Sequence, residues 1–297
     1  MRRLNPIHGL TLLFLIGLFF LVLFFRQQIP LWRSLLWRYA LGAGVLLVLK
    51  WGSDRGVGGR AGKFINDFSP ILYIILIYQS LGDLSQYLRP DVDPQLIRID
   101  FFLFGVHPTV WMERWIVPWL TGVLSVAYLS YFFLPARLVH TLYVKNSGRD
   151  FDLAVFVLLL VWYLSFVGYM LLPAIGPRYT LAHLQSVPLN GGFIADSVSH
   201  LINFVEGNQR DCMPSGHTAI ALIVLFLSYR YARLLFYLFC PIVGALILST
   251  VYLRYHYVID IFAGAALAAG CGIIGPRLYR LYRCWEEAGG GREKRED

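Results

Sequence analysis

The sequence predicts an all-α fold, a polytopic bundle of about six to eight transmembrane helices. Composition is the first observation behind this: of 297 residues, 57% are hydrophobic and only 15% charged. A soluble globular domain carries about a quarter charged residues. The second is the recurrence of apolar runs near the ~20 residues that a membrane-spanning helix needs. The third is the placement of basic residues between those runs, with a strong bias to alternate connections.

The chain opens on "MRRLNPIHGLTLLFLIGLFFLVLFF", a basic start followed by a long apolar stretch. A secretory leader would have a shorter apolar core and a small-residue cleavage site, so a retained first span over 9–25 is expected. Further spans are expected at 35–50, 69–87, 116–140, 152–173, 215–229, 234–253 and 257–275. The third and the sixth of the eight are short or interrupted by polar residues. Between them, "LRPDVDPQLIRIDFFLFGVHPTVWMERW" (88–115) mixes apolar, aromatic and charged residues. That mixture suits an interfacial helix with Trp111 and Trp115 as headgroup anchors. The closing "EEAGGGREKRED" reads as a solvated tail. The organisation expected is an N-terminal membrane part over 1–114, a helix bundle over 115–280 and a charged cytoplasmic tail over 281–297.

With the N-terminus inside and the connections alternating, 16 of the 26 basic residues fall on the inner side and nine on the outer. The positive-inside rule then puts both termini in the cytoplasm of a multi-pass membrane protein. The net charge of +8 is scattered and forms no single patch, so membrane lipids and not nucleic acid are the expected surroundings. The four cysteines, Cys212, Cys240, Cys271 and Cys284, include no Cys-x-x-Cys pair. A disulfide framework or structural zinc is therefore not expected, and packing is the role assigned to them. Oligomeric state leaves no trace in the sequence.

This topology brings three polar segments to the outer face: "LPAIGPRYT", "DCMPSGH" and "STVYLRYHYVID". In the last, His256 and Asp260 are four residues apart, so on a helix they share a face. A carboxylate accepting from one imidazole nitrogen fixes the tautomer and frees the other. The competing reading is a polar pair packed inside a bundle, although ionisable residues within spans are costly and usually functional. In "PSGH", Ser215 is a strong helix N-cap candidate, Gly216 permits close backbone approach, and His217 supplies a second imidazole. A helix start also offers N–H groups to an anion; the plain alternative is an ordinary cap beside a surface histidine. Arg178 suits a phosphate as well as it suits a snorkelling anchor.

Two histidines, an aspartate, an arginine and a helix start together describe phosphoryl transfer. One imidazole attacks phosphorus, the other handles the proton, and the cation and backbone donors stabilise the equatorial oxygens. No metal and no cofactor is called for. The triplet Asp91 to Asp93 is a weak metal-binding signature followed by Pro94 and is set aside.

These residues resemble the type 2 phosphatidic acid phosphatase superfamily, whose pattern is KxxxxxxRP, PSGH and SRxxxxxHxxxD. Pro214-Ser215-Gly216-His217 matches the second part, and His256 with Asp260 the end of the third. By this resemblance His256 is the nucleophile, Asp260 its orienting partner and His217 the general acid and base, with Ser215 and Gly216 at the phosphate. The first part departs: Leu171 stands at the lysine position, and Pro177-Arg178 reverses the ending. In the third part Thr250 replaces the arginine. Arg178 and Arg254 are the substitutes expected to bind substrate, and Arg210 is a further candidate. Arg254 could contribute only if the helix begins nearer His256, since two helical positions would turn it ~200° away.

The resemblance implies a lipid phosphatase with a catalytic bundle in the C-terminal half, acting on a lipid phosphate or diphosphate at the outer face. "STVYLRYHYVIDIFAG" and "LPAIGPRY" look most like the branch containing inositol phosphorylceramide synthases, which implies the alternative of head-group transfer to a lipid alcohol. Two readings of other classes stand beside these. A proton-coupled transporter would need polar residues near the middle of several spans, whereas here they gather at span ends. An inactive relative that only binds lipid fits the missing lysine and arginine.

Overall fold

A computed structural model describes residues 4–145, 148–205 and 208–293. Among the described residues the secondary structure is helical, with no strand. In chain order the α-helices are α1 (Pro6–Phe24), α2 (Trp32–Asp54), α3 (Gly59–Gly82), α4 (Ser85–Leu88) and α5 (Asp93–Phe104). After them come α6 (Pro108–Trp111), a 3-10 turn at Met112–Trp115, α7 (Pro118–Val144), α8 (Gly148–Leu171) and α9 (Pro177–Thr180). The chain finishes with a 3-10 turn at Ala182–Leu184, α10 (Gly192–Val205), α11 (Gly216–Tyr231), α12 (Arg233–Tyr252) and α13 (Val258–Glu293).

Local chemistry sets several of these limits. Asn5 caps α1 by accepting from the backbone N–H of His8, and Pro6 sits where its missing N–H costs nothing. Helix α3 starts ten residues earlier than the run expected at 69, after Gly58 in a left-handed conformation (φ 79°). The polar stretch through Lys63 and Asp67 is thus helical as well. Helix α13 runs on to Glu293, so most of the segment read as a tail is helix in the described residues.

Among the described residues, seven helices are long and apolar enough to cross a membrane: α1, α2, α3, α7, α8, α12 and α13, the last counted over Val258–Cys284. The chain is a multi-pass membrane protein by that measure. The expected span at 215–229 is α11, whose 16 residues reach only ~24 Å, short of a ~30 Å hydrocarbon core. It is packed against α7, α8, α12 and α13. Shielded by those neighbours, it has no need to match the bilayer itself. The outer surface fits lipid: Phe20, Leu41, Leu72 and Leu234 are each more than 60% exposed.

Helix α8 is the central post. Its residues from Phe151 to Met170 are mostly buried, and the principal core joins it to α1, α3, α11 and α13. Two smaller apolar clusters lie at the end of the bundle that holds the polar segments. One joins Leu124 and Tyr128 to Val251 and Tyr252; the other joins Leu96 to Ala174, Cys212 and Tyr257. The segment expected to lie at the interface forms α5, α6 and the first 3-10 turn, with Trp111 and Trp115 edge to face at 4.4 Å.

Candidate active site

The fold brings two of the sequence-singled imidazoles into contact from positions 39 residues apart. Nε2 of His256 lies 3.4 Å from Nδ1 of His217, with the ring centroids 5.6 Å apart. Both line a small polar cleft of about 50 Å³ together with Arg178, Asp211, Cys212 and Tyr255.

His217 is the second residue of α11. Ser215 is the N-cap, its hydroxyl oxygen accepting from the N–H of Thr218 at 3.3 Å. Ser215 also donates its own N–H to the carbonyl of Asp260 at 3.1 Å, which ties the two segments backbone to backbone. At Gly216 an added Cβ would lie 2.2 Å from the Tyr169 hydroxyl, so a larger residue there would displace that ring. The ring of His217 is held between Tyr128 and Tyr131 of α7, at centroid distances of 4.4 and 4.2 Å.

His256 precedes α13. Its Nδ1 is 2.9 Å from the carbonyl oxygen of Cys212 and 3.6 Å from a carboxylate oxygen of Asp260. A carbonyl can only accept, so Nδ1 carries the proton and Nε2 keeps its lone pair toward His217. Asp260 lies in the first turn of α13 and accepts from the N–H of Tyr257 at 3.0 Å, the reciprocal half of a capping box. The same oxygen accepts from the thiol of Cys212 at 2.8 Å. The role read for Cys212 was packing; it also carries the hydrogen bonds that steer His256.

The cations divide. Arg178 stays in the cleft, its guanidinium 3.2 Å from the Tyr255 hydroxyl and 5.4 Å from that ring's centroid. Arg254 is turned elsewhere. Helix α12 ends at Tyr252, Arg254 takes a left-handed conformation (φ 66°), and its guanidinium donates to Glu113 at 2.8 Å, Gln185 at 3.2 Å and the Val187 carbonyl at 2.6 Å. The direct phosphate contact expected of it is replaced by a buried ion pair. Burial pushes the Glu113 carboxyl up, yet the hydroxyl and N–H of Ser186 and the Arg254 charge bring it below its usual range. Arg210 forms a two-pronged pair with Asp91, at 2.7 and 3.1 Å.

Sequence reading missed two carboxylates, both on α5 and both buried. Asp93 accepts from the N–H groups of Ile175 and Gly176 at 3.0 and 2.9 Å and from the Tyr257 hydroxyl at 2.8 Å. Gly176 has φ 86°, and an added Cβ would lie 2.7 Å from the Tyr255 carbonyl, so that loop requires glycine. Asp100, seven residues on and on the same helix face, accepts from the N–H groups of Val258 and Ile259 at 2.8 and 2.9 Å. Burial, helped by the Asp260 charge, pushes the Asp100 carboxyl up against the pull of those two donors. One short helix thereby fixes both the Arg178 loop and the start of α13.

Among the described residues, Cys212, His256 and Asp260 have donor atoms within 4.8 Å of one another and could ligate one ion. The thiol already donates to Asp260, and burial and that carboxylate push its pKa up, so the trio is joined by hydrogen bonds as a neutral thiol requires. What the arrangement can do is present an imidazole lone pair, a second imidazole for the proton and a guanidinium to one small anionic group.

Comparison with known proteins gives a consistent picture. A family model described as the PAP2 superfamily matches residues 94–274, more than half of the chain. A PA-phosphatase related-family protein of Dictyostelium discoideum is 25% identical over 178 residues. That match covers 52% of this chain and 32% of the relative, so the chain spans about a third of the length of the relative it matches. No solved structure matches the chain.

Proposed function

The chain belongs to the PAP2 superfamily, and from that premise we propose that it is an integral-membrane lipid phosphatase working through a phosphohistidine on His256. The observation that carries the reading is the pairing of Nε2 of His256 with His217 in a cleft that Arg178 also lines, while Nδ1 is committed to the Cys212 carbonyl.

The steps balance. The Nε2 lone pair attacks phosphorus, and the bond from phosphorus to the lipid oxygen breaks. The imidazolium of His217 gives its proton to that oxygen, so the lipid leaves as a neutral alcohol or, from a diphosphate, as a monophosphate. Neutral His217 then takes a proton from water, the resulting hydroxide attacks the phosphohistidine, and inorganic phosphate leaves with both imidazoles restored. Arg178 and the helix start at α11 meet the charge on the equatorial oxygens. The reading puts this cleft on the outer face with both termini inside, supported by the 16 of 26 basic residues on the inner connections.

The test uses the purified full chain with phosphatidic acid, alkyl phosphates and isoprenyl diphosphates, measuring phosphate release and an acid-labile phosphoryl adduct. The adduct and turnover are expected in the wild type and absent from His256→Asn. Undiminished turnover in that variant rejects the mechanism. A new lipid product on adding an alcohol, with little free phosphate, would move the reading to head-group transfer.

A further inference from the structure

The polar cleft has a large apolar neighbour. A cavity of about 490 Å³ lies between α3, α7 and α8, within the range of ordinary small-molecule sites. His217 and Asp211 line both the cleft and this cavity, so the two adjoin at that imidazole. Along α8 the lining runs from Tyr169 down to Val155, fourteen residues or roughly 20 Å of helix. Its walls are Ile74 and Ile75 of α3, Phe132 and Val139 of α7, and Leu158 and Trp162 of α8.

At the far end the lining is Phe68 and its neighbour Asp67. Phe68, which lines the cavity, packs on Phe64 at 4.5 Å, Tyr143 at 5.3 Å and Phe151 at 6.2 Å, bridging α3 to α7 and α8. The side between α3 and α7 is open. Ile71 and Ile75 line the cavity yet are 47% and 49% exposed, facing where lipid would be. The near end is polar, where the Tyr78 hydroxyl of α3 donates to Asp211 at 2.6 Å.

We propose that this slot holds one hydrocarbon chain of the phosphorylated lipid, with α3 as a wall and Phe68 as a floor that measures chain length. The inference rests on the reading of the cleft as a phosphate site and extends it to a part of the chain beyond the family's match. Helix α3 lies outside residues 94–274. An amphiphile is the occupant that satisfies both compartments: its charged head belongs with Arg178 and the imidazoles, and its tail removes apolar wall from contact with water or loose lipid. A chain slides in sideways between Ile75 and Ala136 without its head leaving the membrane surface.

The experiment is a binding measurement on the full chain in detergent, made in His256→Asn so that nothing is consumed. Trp162 lines the slot and donates to the Tyr131 hydroxyl at 3.0 Å, so its fluorescence reports an alkyl phosphate brominated along its chain. The same protein with Trp162→Phe gives the blank. Unlabelled alkyl phosphates of increasing length then compete. Affinity is expected to rise roughly fourfold per methylene until the chain meets the floor, and then to level. Phe68→Ala is expected to move that plateau to longer chains, and Ile75→Trp or Ala136→Trp, on opposite walls, to weaken binding by about tenfold or more. Alkanols of equal length are expected to compete more weakly, since they lack the head that the cleft takes.

Quenching unchanged by Trp162→Phe, or an identical chain-length profile in the wild type and Phe68→Ala, overturns the slot. The two proposals fail separately. Phosphate release with no chain-length effect of Phe68→Ala sinks the slot and leaves the chemistry. Length-dependent binding in a chain that keeps His256 but releases no phosphate does the reverse.

Discussion

The carbonyl oxygen of Cys212 is closer to Nδ1 of His256 than the Asp260 carboxylate is, 2.9 Å against 3.6 Å. The tautomer of the proposed nucleophile is therefore set first by backbone. Asp260 adds charge nearby and holds the Cys212 thiol and the Tyr257 N–H, which position the same loop.

Asp260→Asn should accordingly be tolerated better than in a catalytic triad. Where an aspartate alone sets the tautomer, its loss costs about 10⁴ in rate. With the Cys212 carbonyl still in place, a fall of about 10²-fold or less in phosphate release is expected, against complete loss in His256→Asn. Equal losses in the two variants would mean that the carboxylate, and not the carbonyl, governs the imidazole.

His217 is assigned the proton, so its importance should depend on the leaving group. His217→Ala is expected to lose about 10²–10⁴ in rate on an alkyl phosphate, whose oxygen cannot depart unprotonated. On an aryl phosphate with an acidic phenol the loss should be far smaller. A steady-state comparison of the two substrates reads this directly, and an equal loss on both would assign His217 to binding. The rings of Tyr128 and Tyr131 hold the imidazole in place, so replacement of either is expected to reduce the rate on the alkyl phosphate more than on the aryl phosphate.

How far the site was legible in the sequence follows from how each contact is made. Pro214 to His217 and the His256–Asp260 pair are local patterns, and the helix that they imply at Gly216 starts with Ser215 as its cap. The apolar runs gave the bundle for the same reason: lipid demands ~20 apolar residues in sequence. Arg254 could not be placed this way, because its direction depends on a left-handed residue and on Glu113, 141 positions away. Asp93 and Asp100 looked like part of a mixed polar segment. Their partners are backbone N–H groups 82 to 159 residues distant, and side-chain-to-backbone bonds of that span leave no periodic trace. The short α11 was legible at its length, but its burial among four helices, which relieves it of matching the bilayer, is invisible in a linear scan.

Those two carboxylates yield a prediction about positioning. Asp100→Ala leaves the N–H groups of Val258 and Ile259 without their acceptor, at a cost of about 1–3 kcal/mol for each orphaned group. Asp100→Asn keeps one oxygen but turns an NH₂ toward the other donor, so it should recover only part of the loss. Both variants are expected to melt earlier in detergent and to lower kcat more than they raise KM, because α13 carries Asp260 and follows His256. An unchanged kcat with only a lower melting point would make Asp100 a purely structural cap.

Glu113 carries the pH prediction. Its carboxyl sits below its usual value near 4.5, because Ser186 and Arg254 favour the ionised form enough to overcome burial. A carboxyl with a lowered folded-state value stabilises the fold while ionised. That contribution is fully present above about pH 4.5 and is lost as pH falls through the lower, folded-state value. Glu113→Gln removes the charge and leaves Arg254 buried with a neutral partner, at a cost of roughly 3 kcal/mol at neutral pH. The difference in melting temperature between wild type and Glu113→Gln should thus be largest near pH 7 and shrink below pH 4.5. A difference that stays constant or grows on acidification would contradict the ion pair as the source of stability.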